Sequence, residues 1–86
     1  MNINELIAIV KKKIKSEIAT QKIIVQDKSY LHKNHPGNQK DKFHLKIFIE
    51  SDELKKISKI EANKKIYKTL SNEMSNFIHS IQILIN

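Results

Sequence analysis

Residues 43–51, FHLKIFIES, place Phe43, Leu45, Ile47 and Ile49 on one face and His44, Lys46, Phe48 and Glu50 on the other. This period of two is the clearest strand signal in the chain, and it implies a sheet with one buried face. Immediately upstream runs SYLHKNHPGNQKDKFH, Ser29 to His44, which holds three of the four histidines and the only Pro and Gly, Pro36 and Gly37. Upstream again, Lys22 to Tyr30 contains the β-branched run Ile23, Ile24, Val25 and predicts another strand. A polar, imidazole-bearing loop is thus held between two strands, an arrangement in which functional residues are often found. Pro36-Gly37 and the neighbouring Asn and Lys residues offer turn chemistry and little to bury, so residues 31–41 are expected to be the most mobile internal segment.

Helices flank this pair. Asn2 and Glu5 have capping-box spacing, and Ile3, Leu6, Ile7, Val10, Ile14 and Ile18 recur at helical intervals, which predicts a helix over 3–19. Lys11, Lys12, Lys13 and Lys15 fall in its second half, where positive charge suits the helix dipole. Downstream, Ser51 to Ile57 reads as a polar connection with room for a helical turn. Ser58 and Glu61 repeat the capping spacing, and a second long helix is expected from Lys59. Its core stripe reads Ile60, Tyr67, Leu70 and Met74 with Ile66 beside it, and Lys64, Lys65 and Lys68 point outward. FIHSIQILIN then alternates again, with His79, Ile81, Ile83 and Ile85 on one face of a third strand.

The order α-β-β-α-β implies an α+β fold: a two-layer sandwich in which helices cover one face of a mixed three-stranded sheet, the final strand returning beside the first pair. The topology matches the K-homology arrangement of the second type. The phosphate-clamping GxxG loop of that RNA-binding module cannot exist in a chain with one Gly. No repeat or linker divides residues 1–86, whose length suits a single domain with one modest core.

Composition narrows the function classes. Without cysteine the chain has neither a disulfide framework nor a thiolate for metal or redox work. No apolar stretch reaches membrane-spanning length and the N-terminus lacks a leader pattern, so a cytoplasmic protein with no membrane partner is expected. The net charge of +7 raises nucleic acid as a partner, but all 16 basic residues are Lys and base readout usually leans on Arg. Ile and Asn are also abundant, so the lysines read as compositional drift and a solvated surface before a dedicated binding face. There is no P-loop, no HExxH and no nucleophile with an oriented base, and Asp52 with Glu53 reads as turn chemistry; no enzyme is expected.

That leaves the histidines. His32 and His35 form H-x-x-H, a spacing that also arises by chance between solvated loop side chains. His79 alone on an apolar face reads first as a hydrogen-bonded core or boundary residue, and His44 at the base of the loop as structural.

Taken together, DKSYLH (27–32), FHLKIFIESDEL (43–54), SKIEANKKIYKTLSNEM (58–74) and FIHSIQI (77–83) resemble the BolA-like protein family. The resemblance implies a non-enzymatic adaptor in iron-sulfur trafficking or iron signalling, monomeric or weakly homodimeric when alone. Its partner would be a monothiol glutaredoxin with glutathione, and the pair would share a two-iron, two-sulfur cluster. The family's loop ligand maps onto His32, with His35 as backup, and its ligand at the start of the last strand onto His79. Imidazole suits iron, and two His replacing two thiolates on one iron is the Rieske pattern. A chain without cysteine needs a partner to bring the remaining thiolates. Convergence of His32 and His79 at one end of the sheet is expected from adjacent, parallel first and last strands. The alternative implied by the family is a nucleic-acid-binding transcriptional regulator using the sheet edge and the Lys-rich second helix, Lys59, Lys64, Lys65 and Lys68. Ala62, Asn63 and Lys64 stand where the family commonly has an Arg-His-Arg-like run, which weakens that role and leaves only weak nucleic-acid binding to expect.

Overall fold

Asn2 opens the first element by accepting a hydrogen bond from the Glu5 backbone N–H at 2.8 Å, while its own amide donates to the Glu5 carboxylate at 2.8 Å. This reciprocal cap starts α1, Ile3–Glu17, in a computed structural model that describes residues 2–29 and 42–86. Leu6, Val10, Ile14 and Ile18 are buried along one stripe of α1 and its C-terminal cap, as their spacing predicts. Each such side chain removed from water stabilises the fold by about 1.5–3 kcal/mol before the cost of ordering it.

The sheet consists of β1 (Lys22–Asp27), β2 (Phe43–Glu50) and β3 (Ile78–Ile85), in the order β1-β2-β3. β1 and β2 pair antiparallel and β2 and β3 parallel, so the sheet is mixed and the last strand lies beside the first pair. Ile23, Val25, Leu45, Ile47 and Ile49 join the α1 residues in one buried cluster, with Ile81, Ile83 and Ile85 packed at its margin. Ile24 and Leu84, on the other face, remain exposed. The helices therefore cover one face of the sheet.

Between β2 and β3 the chain makes three helices: α2 (Asp52–Lys55), α3 (Lys59–Thr69) and α4 (Ser71–Asn76). Buried Ser51 joins the layers: its hydroxyl donates to the Ala19 carbonyl at 2.6 Å and accepts from Leu54 N–H at 3.2 Å, capping α2. Ser58 caps α3 by accepting from Glu61 N–H at 3.1 Å, as the capping spacing predicts.

Four expectations are corrected. The first strand stops at Asp27 and does not reach Tyr30, because the Asp27 carboxylate accepts from Ser29 N–H at 2.9 Å and turns the chain. The second long helix is broken at Leu70, and its buried stripe is Ala62, Ile66, Leu70 and Glu73. Ile60 is 68% exposed and Tyr67 is exposed, while Met74 only flanks the core. The small Ala62 faces inward and Glu73 is drawn in by Lys13, whose ammonium lies 2.7 Å from its carboxylate. In β3 the alternation is interrupted: Phe43 pairs with Ile78 but His44 pairs with Ser80, leaving His79 as the extra residue of a bulge. Ile78 is consequently buried and His79 exposed, instead of sharing the inner face with Ile81, Ile83 and Ile85. Finally, β1 and β3 are neither adjacent nor parallel, since β2 lies between them and runs antiparallel to β1.

Candidate metal centre

The topology still gathers the relevant chain ends. Asp27, the last residue of β1, pairs with Leu45, and Ile78, the first residue of β3, pairs with Phe43. Because β1 and β3 run in opposite directions, the exit of β1 and the entry of β3 lie at the same end of the sheet, flanking the start of β2. The segment bearing His32 and His35 leaves from that end; both residues, like the whole of 30–41, lie outside the described residues, as does the expectation of mobility attached to them.

His44 sits at the middle of this corner. Its backbone is held from the β1 side, where Lys28 N–H donates to its carbonyl at 2.7 Å and its own N–H donates to the Ser29 hydroxyl at 3.1 Å. Ser29 thus replaces a ladder carbonyl with its side chain just where the strand ends. On the β3 side, Phe43 N–H donates to the Phe77 carbonyl at 2.9 Å. His44 is only 6% exposed although it lies on the face of β2 turned away from the helices. Its Nδ1 is 2.7 Å from the Ser80 hydroxyl, and its ring centroid lies 4.9 Å from that of His79, with the planes tilted by 52°.

His79 therefore presents an exposed imidazole beside a buried, hydrogen-bonded one. Imidazole nitrogen is a suitable donor for iron. Among the described residues no three His, Cys, Asp or Glu side chains gather where they could hold a metal ion. The described corner offers imidazole nitrogen, and a metal held there would need further donors from outside the described residues. Beside it is an open hollow of about 310 Å³ whose lining includes Lys28, His44, Lys46, Ser80 and Gln82.

Lys59, Lys64, Lys65 and Lys68 are all exposed on α3. Lys65 is engaged by Glu53 at 2.6 Å; that bond, with a second from Ala19 N–H, holds the Glu53 carboxyl below its ordinary pKa. A larger hollow of about 620 Å³ between α1 and α3 is lined by Lys13, Lys65 and Lys68 with Ser16, Glu17 and Thr69. It has the charge to attract a polyanion but lies on the helical layer and contains no imidazole.

Sequence reasoning placed His79 at the start of the last strand, and it is there. It missed Ser80 altogether, and it gave His44 a structural role without identifying what that role supports. The only signal for either was the adjacency of Ser80 to His79.

Comparison with known proteins agrees with this fold. A family profile described as "BolA-like protein" matches residues 14–86. The chain is 28% identical over 75 residues to the DNA-binding transcriptional regulator BolA of Haemophilus influenzae, covering 87% of this chain and 70% of that one. Among solved structures, the BolA domain of SufE1 from Arabidopsis thaliana superposes with a TM-score of 0.82 at 24% identity, covering 99% of this chain and 94% of the other. BolA1 from the same plant gives 0.78 at 20% identity, covering 93% and 88%. At those identities the structural likenesses speak to the fold. No helix among the described residues is long and apolar enough to cross a membrane.

Proposed function

Since the chain belongs to the BolA-like protein family, whose members are regulators and adaptors, we propose that it is an adaptor that pairs with a monothiol glutaredoxin and contributes His79 to a shared two-iron, two-sulfur cluster. His32, or His35 in its place, is the second imidazole. The observation that carries this reading is the bulge that turns His79 outward beside His44, at the sheet end from which the His32 segment departs.

Bound there, the cluster would supply redox-active, transferable iron and sulfide. This chain's part is to present imidazole nitrogens at a fixed corner. The partner's part follows from composition: with no cysteine here, the thiolates come from the glutaredoxin and its glutathione. Two imidazoles on one iron would raise its potential above that of an all-thiolate cluster.

Anaerobic co-purification with the cell's own monothiol glutaredoxin tests the reading. The complex should carry iron and sulfide, show visible absorbance and dissociate on chelation. A stable complex with no iron, or no complex at all, would overturn it.

A nucleic-acid role has narrower support. The Haemophilus influenzae relative is described as a DNA-binding regulator, and the α3 lysines are exposed, but Lys65 is already paired with Glu53. Binding of that kind would weaken steeply with salt, whereas a cluster-bridged pair would respond to chelation.

A further inference from the structure

We propose that Ser80 and His44 are positioning residues for His79, an inference that rests on the reading of His79 as a metal ligand. In a regular strand, successive side chains point to opposite faces, so neighbours cannot both reach one side chain on the next strand. Here they do. The register shift opposite Phe43 and His44 lets the His79 ring contact the His44 ring while the hydroxyl of the next residue, Ser80, meets His44 Nδ1 at 2.7 Å.

The two contacts have different consequences. The Ser80 bond selects one rotation of the His44 ring, since turning it over would present carbon to the hydroxyl. The His44 backbone is fixed to Ser29 and Lys28 on the β1 side, so the ring stands on an anchored base. The His79 side chain, by contrast, is exposed, and the residue is the one that the pairing register skips. At 4.9 Å and 52° the His44 ring provides it with one tilted aromatic wall, within the range where ring pairs attract. Ser80 thus orients His44, and His44 limits the orientations in which His79 meets a metal. Metal-binding histidines are commonly oriented by a direct hydrogen bond to the other ring nitrogen, whose loss typically costs about 10–100-fold in metal affinity; here a ring contact takes the orienting part.

The test uses the full chain. In the metal-free protein, ring resonances of His79 are followed by NMR in Ser80→Ala, Ser80→Thr and His44→Phe. Ser80→Ala should shift and broaden the His79 signals, Ser80→Thr should restore them by returning the hydroxyl, and His44→Phe should alter them while leaving the amide spectrum folded. In the glutaredoxin complex, Ser80→Ala should release its cluster about tenfold faster and change its visible circular dichroism, with Ser80→Thr close to the parent. Unchanged His79 signals in both Ser80→Ala and His44→Phe would overturn the positioning role even if His79→Ala loses the cluster. Full cluster retention in His79→Ala would overturn the ligand reading itself, and the proposal with it.

Discussion

The imidazole of His79 lies 4.9 Å from that of His44, ring against ring across β2 and β3, although periodicity alone would place them on opposite faces of the sheet. The bulge makes the contact possible and brings His79 out of the core. Exposed and next to a buried ring, His79 is open to solvent and stands outside the hydrophobic core, so the ligand role proposed for it is separable from packing. That separation allows function and stability to be tested independently.

Replacing His79 with Ala should abolish stable cluster sharing while leaving the fold intact, because the side chain is exposed and stands outside the hydrophobic core. Replacing His32 should weaken sharing less if His35 substitutes for it, and the double replacement of His32 and His35 should match the His79 loss. Visible spectra and iron content of the three glutaredoxin complexes measure this. Unchanged iron in the folded His79 variant would remove this residue from the ligand set.

Nucleic-acid binding should be weak, insensitive to sequence and largely abolished at roughly a few hundred millimolar salt, on counterion-release grounds. Lys64→Ala and Lys68→Ala should each flatten the salt dependence by about one phosphate contact, whereas Lys65→Ala should do less because Glu53 already partners it. Affinity measured across a salt series decides; sequence-selective binding that survives high salt would put the regulator reading ahead.

The α1 stripe, the β2 alternation and both Ser58 and Asn2 caps were legible because each is a local pattern that burial then follows. The bulge was not, since it is a property of two strands in register, and FIHSIQILIN alternates equally well without it. For the same reason the Ser80 to His44 contact had no local signature. The third strand was legible, with His79 near its start, but the strand order that brings this corner together was misjudged: the ends meet through opposed outer strands, not parallel neighbours.

The phase of α3 offers a direct stability test. Hydropathy favoured Ile60 and Tyr67 for the interior, whereas Ala62, Ile66 and Leu70 occupy it. Ile66→Ala should therefore cost about 2–5 kcal/mol, and Ile60→Ala should stay within about 0.5 kcal/mol. Ala62→Leu should destabilise by about 1–3 kcal/mol through overpacking. Urea unfolding of the three variants checks the order, and a large loss for Ile60→Ala would contradict the packing described.

The Lys13 and Glu73 pair should make stability depend on pH in a defined direction. Burial pushes the Glu73 carboxyl up, but the Lys13 ammonium at 2.7 Å, the residue's own backbone N–H and Asn72 outweigh it and leave the pKa below its ordinary value of 4.5. A carboxyl depressed in the folded state adds stability that is fully present above its ordinary value and is lost as pH falls through the folded value. Lys13 is 40% exposed and Glu73 4%, so Lys13→Met should cost about 1–2 kcal/mol near neutral pH, less than for a wholly buried pair. Glu73 Oε1 is buried with no hydrogen-bond partner among the described residues, which adds to the penalty when Lys13 is removed. Without the ammonium, burial is less opposed and Glu73 should take up its proton at higher pH. The gap between parent and variant should then narrow at an acid pH below the parent's folded value, where both carry a neutral carboxyl. Urea midpoints at the two pH values measure it, and Lys13→Met in a Glu73→Gln background should cost little at either. An equal gap at both values would show that Lys13 stabilises α1 through its aliphatic stem and not through its charge.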